Sequence, residues 1–475
     1  MKSVLIGNGI NIQFGGTTYS NYFILERIKS KAKLGGYDKL FKNSITGEEI
    51  ISIFNGFVNI ANGIRTGKYD KLTDDTELKD AFNDFKKRYK NKIKYSYNIM
   101  LEDWFLLVEA FFLENDDLSD NKELSIQGFE EIILDSIYNE GKLQEIYKSM
   151  SKKVKDYFAD YDKIFTLNYD NNIDHLTEKN VFHLHGDFSV LNDSENPNIV
   201  NGYIRNKEGK TVVIPGYEHC YCNALLNYSG KLKLKKAEAN HRLIVEYDKN
   251  YKEEYLQNDN YINQLNGLKV SDENSYKIIM TKIKHPELKA ASEYYFENFK
   301  DIKDELHIIG LSPNNDDHIF NLIRNNKNIK RVIYYYYSQD EKEYIDKNFP
   351  KDVFISKSVE NLWKSLGCKK EKRNFNYFFL KEIDIFIDIV NGFSKRKMTK
   401  EEIIAEINSI SLSKMKMLYT QVKSILSTKE LKGSSKNQEE FEKKQEYVNY
   451  VALQEGINPS SIYIIYFMYS SISKK

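Results

Sequence analysis

Three short polar phrases carry the residues of this chain that could do chemistry. They are Gly7-Asn8-Gly9-Ile10-Asn11, Thr166-Leu167-Asn168-Tyr169-Asp170 and His183-Leu184-His185-Gly186-Asp187. Each phrase follows a short apolar run, and such runs are typical of buried strands that stop at a polar turn. Ligands of an open α/β sheet bind at strand ends of this kind, so we expect the three phrases to meet at one crevice. A glycine turn, a carboxamide, an imidazole and carboxylates together suit a nucleotide and a reaction at its sugar.

The elements that must position these phrases alternate between strands and helices. Strand-like runs occur at 3–6, 162–167, 180–184, 211–214, 305–309, 330–337 and 352–356. Helical periodicity appears around 50–58 and 104–112, and further helices are expected near 127–158 and 286–301. This alternation predicts an α/β fold with a Rossmann-like, doubly wound and mostly parallel sheet. A large helical insertion is expected at about 35–150, and a polar irregular region at about 188–280.

The pattern changes after Trp363, where strand-like runs stop and helical periodicity takes over. An amphipathic series covers 403–425, and Thr399 with Glu402 forms a capping box at its start. Further along lie the interruption Lys432-Gly433-Ser434-Ser435, a helix expected from about 437 to 454, and a last apolar helix opened by Asn458-Pro459-Ser460-Ser461. We therefore predict two domains, an α/β domain at 1–368 and an all-helical C-terminal domain at 369–475.

The composition excludes some classes of partner. The chain has 475 residues, with 70 Lys plus Arg against 69 Asp plus Glu, so its net charge of +1 gives no reason to expect nucleic acid or an anionic membrane. Three cysteines do not build a disulfide framework, which favours a cytoplasmic location. The most apolar late stretch, 462–468, falls far below the roughly 20 residues needed to cross a bilayer, so no membrane segment is expected.

The first glycine turn differs from a dinucleotide fingerprint. That fingerprint needs a third glycine where this chain has Ile12, so hydride transfer on an ordinary Rossmann site is not supported. The turn is expected to let backbone amides approach a phosphate, with Asn11 and Gly15-Gly16 at its exit. The alternative is a plain strand-to-helix turn.

Each polar residue at the other strand ends also has a structural alternative. Asn168 could form an Asx turn, and Asp170 could cap the helix that follows. An isolated histidine is usually a satisfied core residue, but His185 ends a strand and precedes glycine, so we favour a site role for it.

Two further segments each have a functional and a structural interpretation. Gly310-Leu311-Ser312 follows a buried strand and could approach a ribose or phosphate, while 313–317 could simply cap the next helix, and the two roles are compatible. His219-Cys220-Tyr221-Cys222 resembles half a metal site, but the chain has no second cysteine pair, so no bound metal is expected.

Taken together, the motifs resemble the catalytic domain of sirtuin-like proteins, and more closely the sirtuin-like NAD-hydrolysing domain of bacterial anti-phage defence proteins. The family pattern is a glycine turn after the first strand, a Thr-x-Asn-x-Asp phrase, a His-Gly phrase and a late Gly-x-Ser segment. The corresponding segments here are 7–11, 166–170, 185–186 and 310–312, in the same order. An abortive-infection family with an Ile-Gly-Asn-Gly start and a later His-Gly is also similar. The chain lacks the two Cys-x-x-Cys pairs of deacetylating sirtuins, so the resemblance implies NAD⁺ hydrolysis rather than protein deacylation.

The resemblance also implies roles for individual residues. His185 would be the general base, Asn168 would hold a water or the nicotinamide ribose, and Asp170 would orient the ribose pocket. NAD⁺ would be the substrate, with no metal. The implied nucleotide-binding residues are Gly7, Asn8, Gly9, Asn11, Thr166, Gly186, Gly310, Ser312 and Asp316.

The implied biology is an NAD⁺ glycohydrolase that depletes the cofactor of an infected cell. Such an enzyme must be restrained at rest, so a homo-oligomer and a phage-derived trigger or partner ATPase are expected, with the helical regions as candidate contact surfaces. Two alternatives stay open. One is a non-catalytic sensor of NAD or ADP-ribose that signals through its helices, and the other is a hydrolase of another nucleotide.

Overall fold

The structure is a computed structural model of the chain, and it describes most but not all of the 475 residues. The described residues are 1–41, 45–115, 122–188, 202–203, 214–220, 222–226, 230–250, 259–271, 273, 276, 280, 289–290, 293–313, 316–368, 398–426 and 438–472. The expected strand at 211–213 and the interruption at 432–435 lie outside them, and Ile214 does not belong to a strand.

Six described strands form one parallel sheet. They are β1 (Lys2–Ile6), β2 (Lys163–Thr166), β3 (Val181–His183), β4 (Asp304–Ile309), β5 (Ile329–Tyr336) and β6 (Phe354–Ser358). Their spatial order is β3-β2-β1-β4-β5-β6, and every neighbouring pair is parallel. This is the strand order of doubly wound nucleotide-binding sheets, so the predicted fold class is confirmed. The two-residue strands Gly202–Tyr203 and Lys289–Ala290 form a separate parallel pair.

The sheet is apolar because it is covered on both faces, as parallel sheets usually are. In the central strand β1, residues 4–6 are all fully buried. Leu5 lies between Phe165 of β2 and Ile308 of β4 in the register of the sheet, and all three belong to one hydrophobic cluster. Burial on both faces explains why the strands appear in the sequence as continuous apolar runs.

Helices make up most of the remaining described chain. From the N-terminus they are α1 (Gly9–Gly15), α2 (Asn21–Lys33), α3 (Gly47–Arg65), α4 (Thr76–Arg88), α5 (Leu101–Glu114), α6 (Lys122–Tyr138), α7 (Lys152–Ala159), α8 (Asn172–Thr177), α9 (Gly230–Asn250) and α10 (Asp259–Ser271). They continue with α11 (Phe296–Lys300), α12 (Asp317–Asn325), α13 (Gln339–Asn348), α14 (Val359–Ser365), α15 (Lys400–Ser409), α16 (Leu412–Ile425), α17 (Gln438–Gln454) and α18 (Pro459–Ile472). Among the described residues, none of these helices has both the length and the apolar character needed to cross a membrane.

Three sequence-based expectations need correction. The region at about 188–280, which was expected to be irregular, contains α9 and α10. Of the helix expected near 286–301, the described residues contain α11, whereas Lys289–Ala290 is extended and pairs with Gly202–Tyr203. The stretch at 127–158 is broken into α6, the 3₁₀ helix Lys142–Ser149 and α7. Gly141, with φ of 84°, adopts a left-handed conformation at the first break, and this conformation favours glycine.

The chain divides into two compact units. The first comprises Met1–Phe14 and Gly56–Gly367, and it contains the sheet. The second comprises Gly15–Asn55 and Cys368–Lys475. The segment Gly15–Asn55, which the sequence-based boundary assigned to the first domain, therefore groups with the C-terminal helices.

The second unit has its own core and a buried cation. Apolar residues of α15 to α18 form one hydrophobic cluster, and the capping box predicted at the start of α15 is present. Arg27 of α2 is almost fully buried and donates from Nη1 to the carbonyls of Thr18 (2.7 Å) and Leu453 (3.2 Å). Thr18 Oγ1 also donates to the Leu453 carbonyl, at 3.0 Å. These bonds join the early segment to the end of α17 within this unit.

Candidate active site

The phrases singled out in the sequence follow the carboxyl ends of adjacent strands. Gly7 follows β1, Asn168 follows β2, His185 follows β3, and Gly310 follows β4. The chain turns in opposite directions from the central strand β1, first toward β2 and later toward β4. Doubly wound sheets bind ligands at this switch point, outside the carboxyl ends of the strands.

The glycines at the switch point are explained by a close approach of two turns. A Cβ at Gly7 would lie 2.6 Å from the carbonyl oxygen of Gly310, and one at Gly9 would lie 2.6 Å from the Gly310 Cα. Gly310 itself has a φ of 76°. The amide of Gly7 donates to Ile309 and that of Gly9 donates to Gly310, so these two N–H groups already have backbone partners. The glycines therefore bring β1 and β4 together rather than offering their amides to a phosphate.

Next to this turn lies a buried cluster of amide and carboxylate side chains. Asn11 Nδ2 donates to Asp170 Oδ2 at 2.6 Å and to Asn8 Oδ1 at 3.4 Å. Asp170 Oδ1 accepts from the backbone N–H (3.1 Å) and the Nδ2 (2.6 Å) of Asn172. Burial raises the pKa of Asp170, against the effect of these hydrogen bonds. Asn11 Oδ1 is buried and has no hydrogen-bond partner among the described residues, so it is free to accept one from a ligand.

Asn168 is fixed at the same place by backbone and side-chain contacts. Its Nδ2 reaches the Gly7 carbonyl at 3.4 Å, and its N–H donates to Thr166 Oγ1 at 3.0 Å. Thr166 Oγ1 donates in turn to the Ile6 carbonyl at 3.3 Å. Thr166 thus links β2 to β1 and binds the backbone of Asn168, whose side chain contacts the glycine turn.

His183, the other histidine of its phrase, is a satisfied residue. Its Nε2 lies 3.1 Å from Asp174 Oδ2 and its Nδ1 lies 3.3 Å from the Asn168 carbonyl. Burial opposes protonation of His183, but the hydrogen bond with Asp174 and the charge of Asp187 outweigh it, so the pKa is raised.

His185 has the opposite environment. It is almost fully buried, and neither ring nitrogen has a hydrogen-bond partner in the described part of the chain. Its ring stacks on His318 of α12, with centroids 5.8 Å apart and an interplanar angle of 14°. Burial, with the charge of Lys233, lowers the pKa of His185 well below its ordinary value. The imidazole is therefore neutral at pH 7.

Lys233 of α9 is a buried ammonium close to these rings. Its Nζ lies 3.4 Å from Tyr169 Oη and 3.6 Å from Glu102 Oε1, and its side chain is 1% exposed. Burial lowers its pKa, although Glu102 and Asp316 oppose this shift. Burial and the charge of Glu102 raise the pKa of Asp316 to about 7.

The helical insertion supplies a second buried cation. Arg88 of α4 binds Asp103 of α5 through two hydrogen bonds of 2.5 and 2.8 Å, and Tyr89 Oη donates to the same carboxylate at 2.8 Å. Burial opposes the charge of Arg88, but Asp103 keeps its pKa above the ordinary value. The charge of Arg88 also lowers the pKa of Asp316 and of His318, so the insertion contributes to the electrostatics of the site.

The remaining expected residues have local roles. A Cβ at Gly186 (φ 76°) would lie 2.2 Å from the Asn223 carbonyl oxygen, so glycine is required there by packing. The Ser312 carbonyl accepts from the Asp316 N–H at 3.3 Å where α12 begins. Asp316 occupies the N-cap position, but its side chain makes no capping hydrogen bond. The capping alternative for 313–317 therefore does not account for the Asp316 carboxylate.

The sequence predicted some residues of this candidate site and did not point to the others. The motifs pointed to the residues at the strand ends, whereas Glu102, Lys233 and His318 lie on helices and were not among the expected site residues. Lys233 stands among other lysines of α9, a pattern typical of a solvated helix face. A weak signal existed for His318, which follows Asp316 closely in the chain.

The cysteine phrase contacts α6 through Cys220 and His219. Cys220 and Cys222 are buried, and Cys220 Sγ donates to the Glu131 carbonyl at 3.4 Å. His219 Nε2 lies 3.0 Å from Asp135 Oδ1. Within the described ranges, no three His, Cys, Asp or Glu side chains are arranged to hold a metal ion.

No family model, curated protein or solved structure matches the chain.

Proposed function

We propose that the chain hydrolyses NAD⁺ to nicotinamide and ADP-ribose. One observation carries the proposal: the expected catalytic residues follow adjacent strands at the switch point of a sheet with the strand order of nucleotide-binding folds. Buried side-chain atoms with open hydrogen-bonding capacity lie in the same region, namely Asn11 Oδ1 and both ring nitrogens of His185. Such atoms are costly to bury without a partner, which supports a ligand there.

The reaction does not require the protein to donate a proton to the leaving group. The nicotinamide of NAD⁺ is cationic, so it leaves as a neutral molecule when its bond to the ribose breaks, and water then adds to the ribosyl cation. The proton released by that water, or by a ribose hydroxyl that assists it, goes to the neutral imidazole of His185. Asn168 holds the water or the nicotinamide ribose through its carboxamide. Both groups are fixed before the reaction, which reduces the entropy lost in reaching the transition state.

Asp170 acts as a positioning residue in this scheme. Both of its oxygens accept hydrogen bonds from Asn11 or Asn172, so it contacts protein groups rather than the sugar. Asp170 accepts a hydrogen bond from Asn11 Nδ2 and so fixes the orientation of the Asn11 carboxamide. This orientation leaves Asn11 Oδ1 to accept a hydrogen bond from the nucleotide. Asn8, Asn11 and Ser312 then face the phosphate and adenosine side, while the nearby glycines shape the turn.

The cellular role follows from the resemblance to defence proteins. An enzyme that depletes NAD⁺ would stop an infected cell and the phage within it, so we propose that the chain is an abortive-infection effector. Its activity would be low until a phage-derived trigger, a partner ATPase or oligomerisation releases it.

The test is a product assay on the purified full chain with NAD⁺ and a panel of other nucleotides. We expect nicotinamide and ADP-ribose, and a loss of about 10²–10⁴-fold in rate in His185→Ala, the range typical of a general base. Asn168→Ala should lose activity as well. His175→Ala is the matched control because His175 is exposed. If His185→Ala and Asn168→Ala consume NAD⁺ as fast as the parent protein, the catalytic assignment is refuted. Cleavage of a different nucleotide would instead support a hydrolase with another substrate.

A nucleotide sensor without turnover is the second candidate, and the pKa of His185 favours it. General bases work best when their pKa lies near the working pH, whereas the pKa of this imidazole is well below its usual range. A neutral imidazole of this kind is well suited to binding a ligand by hydrogen bonds. Tight binding of ADP-ribose or NAD⁺, with no product even at high protein concentration and after phage lysate is added, would support the sensor.

A further inference from the structure

Two buried imidazoles share one environment although they come from distant parts of the chain. His185 follows β3 and His318 lies in the first turn of α12, and the rings are nearly parallel with centroids 5.8 Å apart. All four of their ring nitrogens are buried, and none has a hydrogen-bond partner among the residues that the structure describes. Leaving one such atom unsatisfied is unfavourable, so four in one place point to a group that the described residues do not supply.

The surroundings determine the chemistry of that group. Burial, together with the charge of the buried Lys233, lowers the pKa of His185 and of His318. Two neutral imidazoles each offer one N–H donor and one acceptor nitrogen. A phosphate offers acceptors only, so it would leave the acceptor nitrogens unsatisfied. A hydroxyl both donates and accepts, so two nearly parallel imidazoles with centroids 5.8 Å apart match a pair of adjacent hydroxyls.

Lys233 is itself held in place by its neighbours. Its Nζ contacts Tyr169 Oη and Glu102 Oε1 at 3.4 and 3.6 Å, and the carboxylate of Asp316 adds a second negative charge nearby. These contacts orient the ammonium without satisfying the two rings. Its role is therefore electrostatic, acting on the imidazoles from the side of α9.

We propose that His318 is a ligand-binding residue of this site, that it pairs with His185 to bind the vicinal hydroxyls of a ribose, and that Lys233, held by Tyr169 and Glu102, is a positioning residue whose charge acts on both rings. The proposal deepens the proposed function and rests on it for the identity of the sugar. It adds to the site a residue from α12 and one from α9, neither of which belongs to the motifs at the strand ends.

The test uses the full chain, with ribose 5-phosphate and 2-deoxyribose 5-phosphate as probes. The histidine ring signals are followed by NMR, and those of His185 and His318 are assigned from His185→Gln and His318→Gln. Ribose 5-phosphate should shift both signals together, and the 2-deoxy sugar should bind at least tenfold more weakly. His318→Gln and His318→Asn should each weaken ribose 5-phosphate at least tenfold. His241→Gln, which changes a half-buried histidine paired with Glu293, should leave binding unchanged.

Lys233→Met separates positioning from packing. The substitution keeps most of the side-chain length but removes the charge, so both histidines should become protonated at a higher pH. An NMR titration measures this change, and circular dichroism checks that the fold is retained. A variant that is folded and titrates like the parent protein would refute the role of Lys233.

The experiments distinguish failure of the ribose-binding pair from failure of the proposed NAD⁺ hydrolysis. If NAD⁺ is hydrolysed but ribose 5-phosphate leaves the His318 signal in place, the pairing is wrong and the hydrolase stands. If both signals shift with ribose 5-phosphate and no nucleotide is cleaved, the subsite stands and the hydrolase is wrong. Equal binding of the two sugars would also contradict a site for vicinal hydroxyls.

Discussion

His318 and Asp316, two residues apart at the start of α12, should give the stability of the first unit opposite dependences on pH. Burial and the charge of Lys233 lower the pKa of His318 from 6.5 to about 3. Burial and the charge of Glu102 raise the pKa of Asp316 from 3.8 to about 7. Below pH 6.5 the unfolded chain binds a proton at His318 that the folded protein does not bind. The free energy of unfolding therefore falls as the pH decreases from 6.5 toward 3. Between pH 7 and 3.8 the folded protein binds a proton at Asp316 that the unfolded chain lacks, so the contribution of Asp316 grows as the pH falls.

The magnitudes follow from the linkage between proton binding and folding. A shift of one pKa unit corresponds to about 1.4 kcal/mol. At pH 5 the solution is about 1.5 pH units below the pKa of His318 in the unfolded chain. Lowering the pH from 7 to 5 should therefore reduce the free energy of unfolding by about 2 kcal/mol through this residue. Over the same interval Asp316 should contribute about 2 kcal/mol in the opposite direction, as an upper value, because it is partly exposed and solvent screens its charge. The two effects largely cancel in the parent protein.

Single substitutions should reveal the pH dependence that each residue contributes, because each substitution removes one of the two cancelling effects. From pH 7 to pH 5, the free energy of unfolding of His318→Gln should rise relative to the parent by about 2 kcal/mol, and that of Asp316→Asn should fall relative to it by up to the same amount. Urea unfolding followed by tryptophan fluorescence reports on the first unit, because Trp104 and Trp363 are the two tryptophans of the chain and both lie in it. His175→Gln, at an exposed site, sets the background. Profiles for the two variants that stay parallel to the parent profile would refute this account of the buried charges.

Two further predictions concern the packing of the first unit. Gly310→Ala should lower the free energy of unfolding by about 2 kcal/mol or more, because alanine disfavours a φ of 76° and its Cβ would lie 2.9 Å from the Gly7 carbonyl oxygen; the matched control Gly267→Ala, in a helix with open space around it, should have no such cost. Arg88→Met should cost about 3–5 kcal/mol, because it leaves the buried Asp103 carboxylate without its cation, and Asp103→Asn in the same chain should recover much of that loss. Urea unfolding measures all of these variants, and an Arg88→Met protein as stable as the parent would contradict the assigned burial of the pair.

Several parts of the fold were accessible from the sequence because they depend on local patterns. Continuous apolar runs predicted the six strands of the sheet, since strands covered on both faces need apolar residues at every position. The alternation of strands and helices predicted the doubly wound fold. The capping box at Thr399 and Glu402 was predicted from two residues, because its hydrogen bonds close within one turn of helix. Boundaries were less accurate, as the short helix α11 shows.

The domain boundary was set by contacts that no local pattern reports. Gly15–Asn55 groups with the C-terminal helices through hydrogen bonds such as those of Thr18 and Arg27 with Leu453. Residues more than 400 positions apart form these bonds, and nothing in either segment alone identifies its partner.

For the candidate site, the sequence by itself determined which residues follow the ends of the strands, because apolar runs that stop at polar turns are local features. Tertiary structure alone decided what surrounds them. It buried Lys233 instead of exposing it, stacked His318 on His185, and set the charges of Glu102 and Asp316 nearby. The physical reason is that burial and electrostatic environment depend on which helices pack together. A lysine on a solvated face and a lysine in the interior have the same sequence pattern, but in the interior its charge changes the pKa of the groups around it.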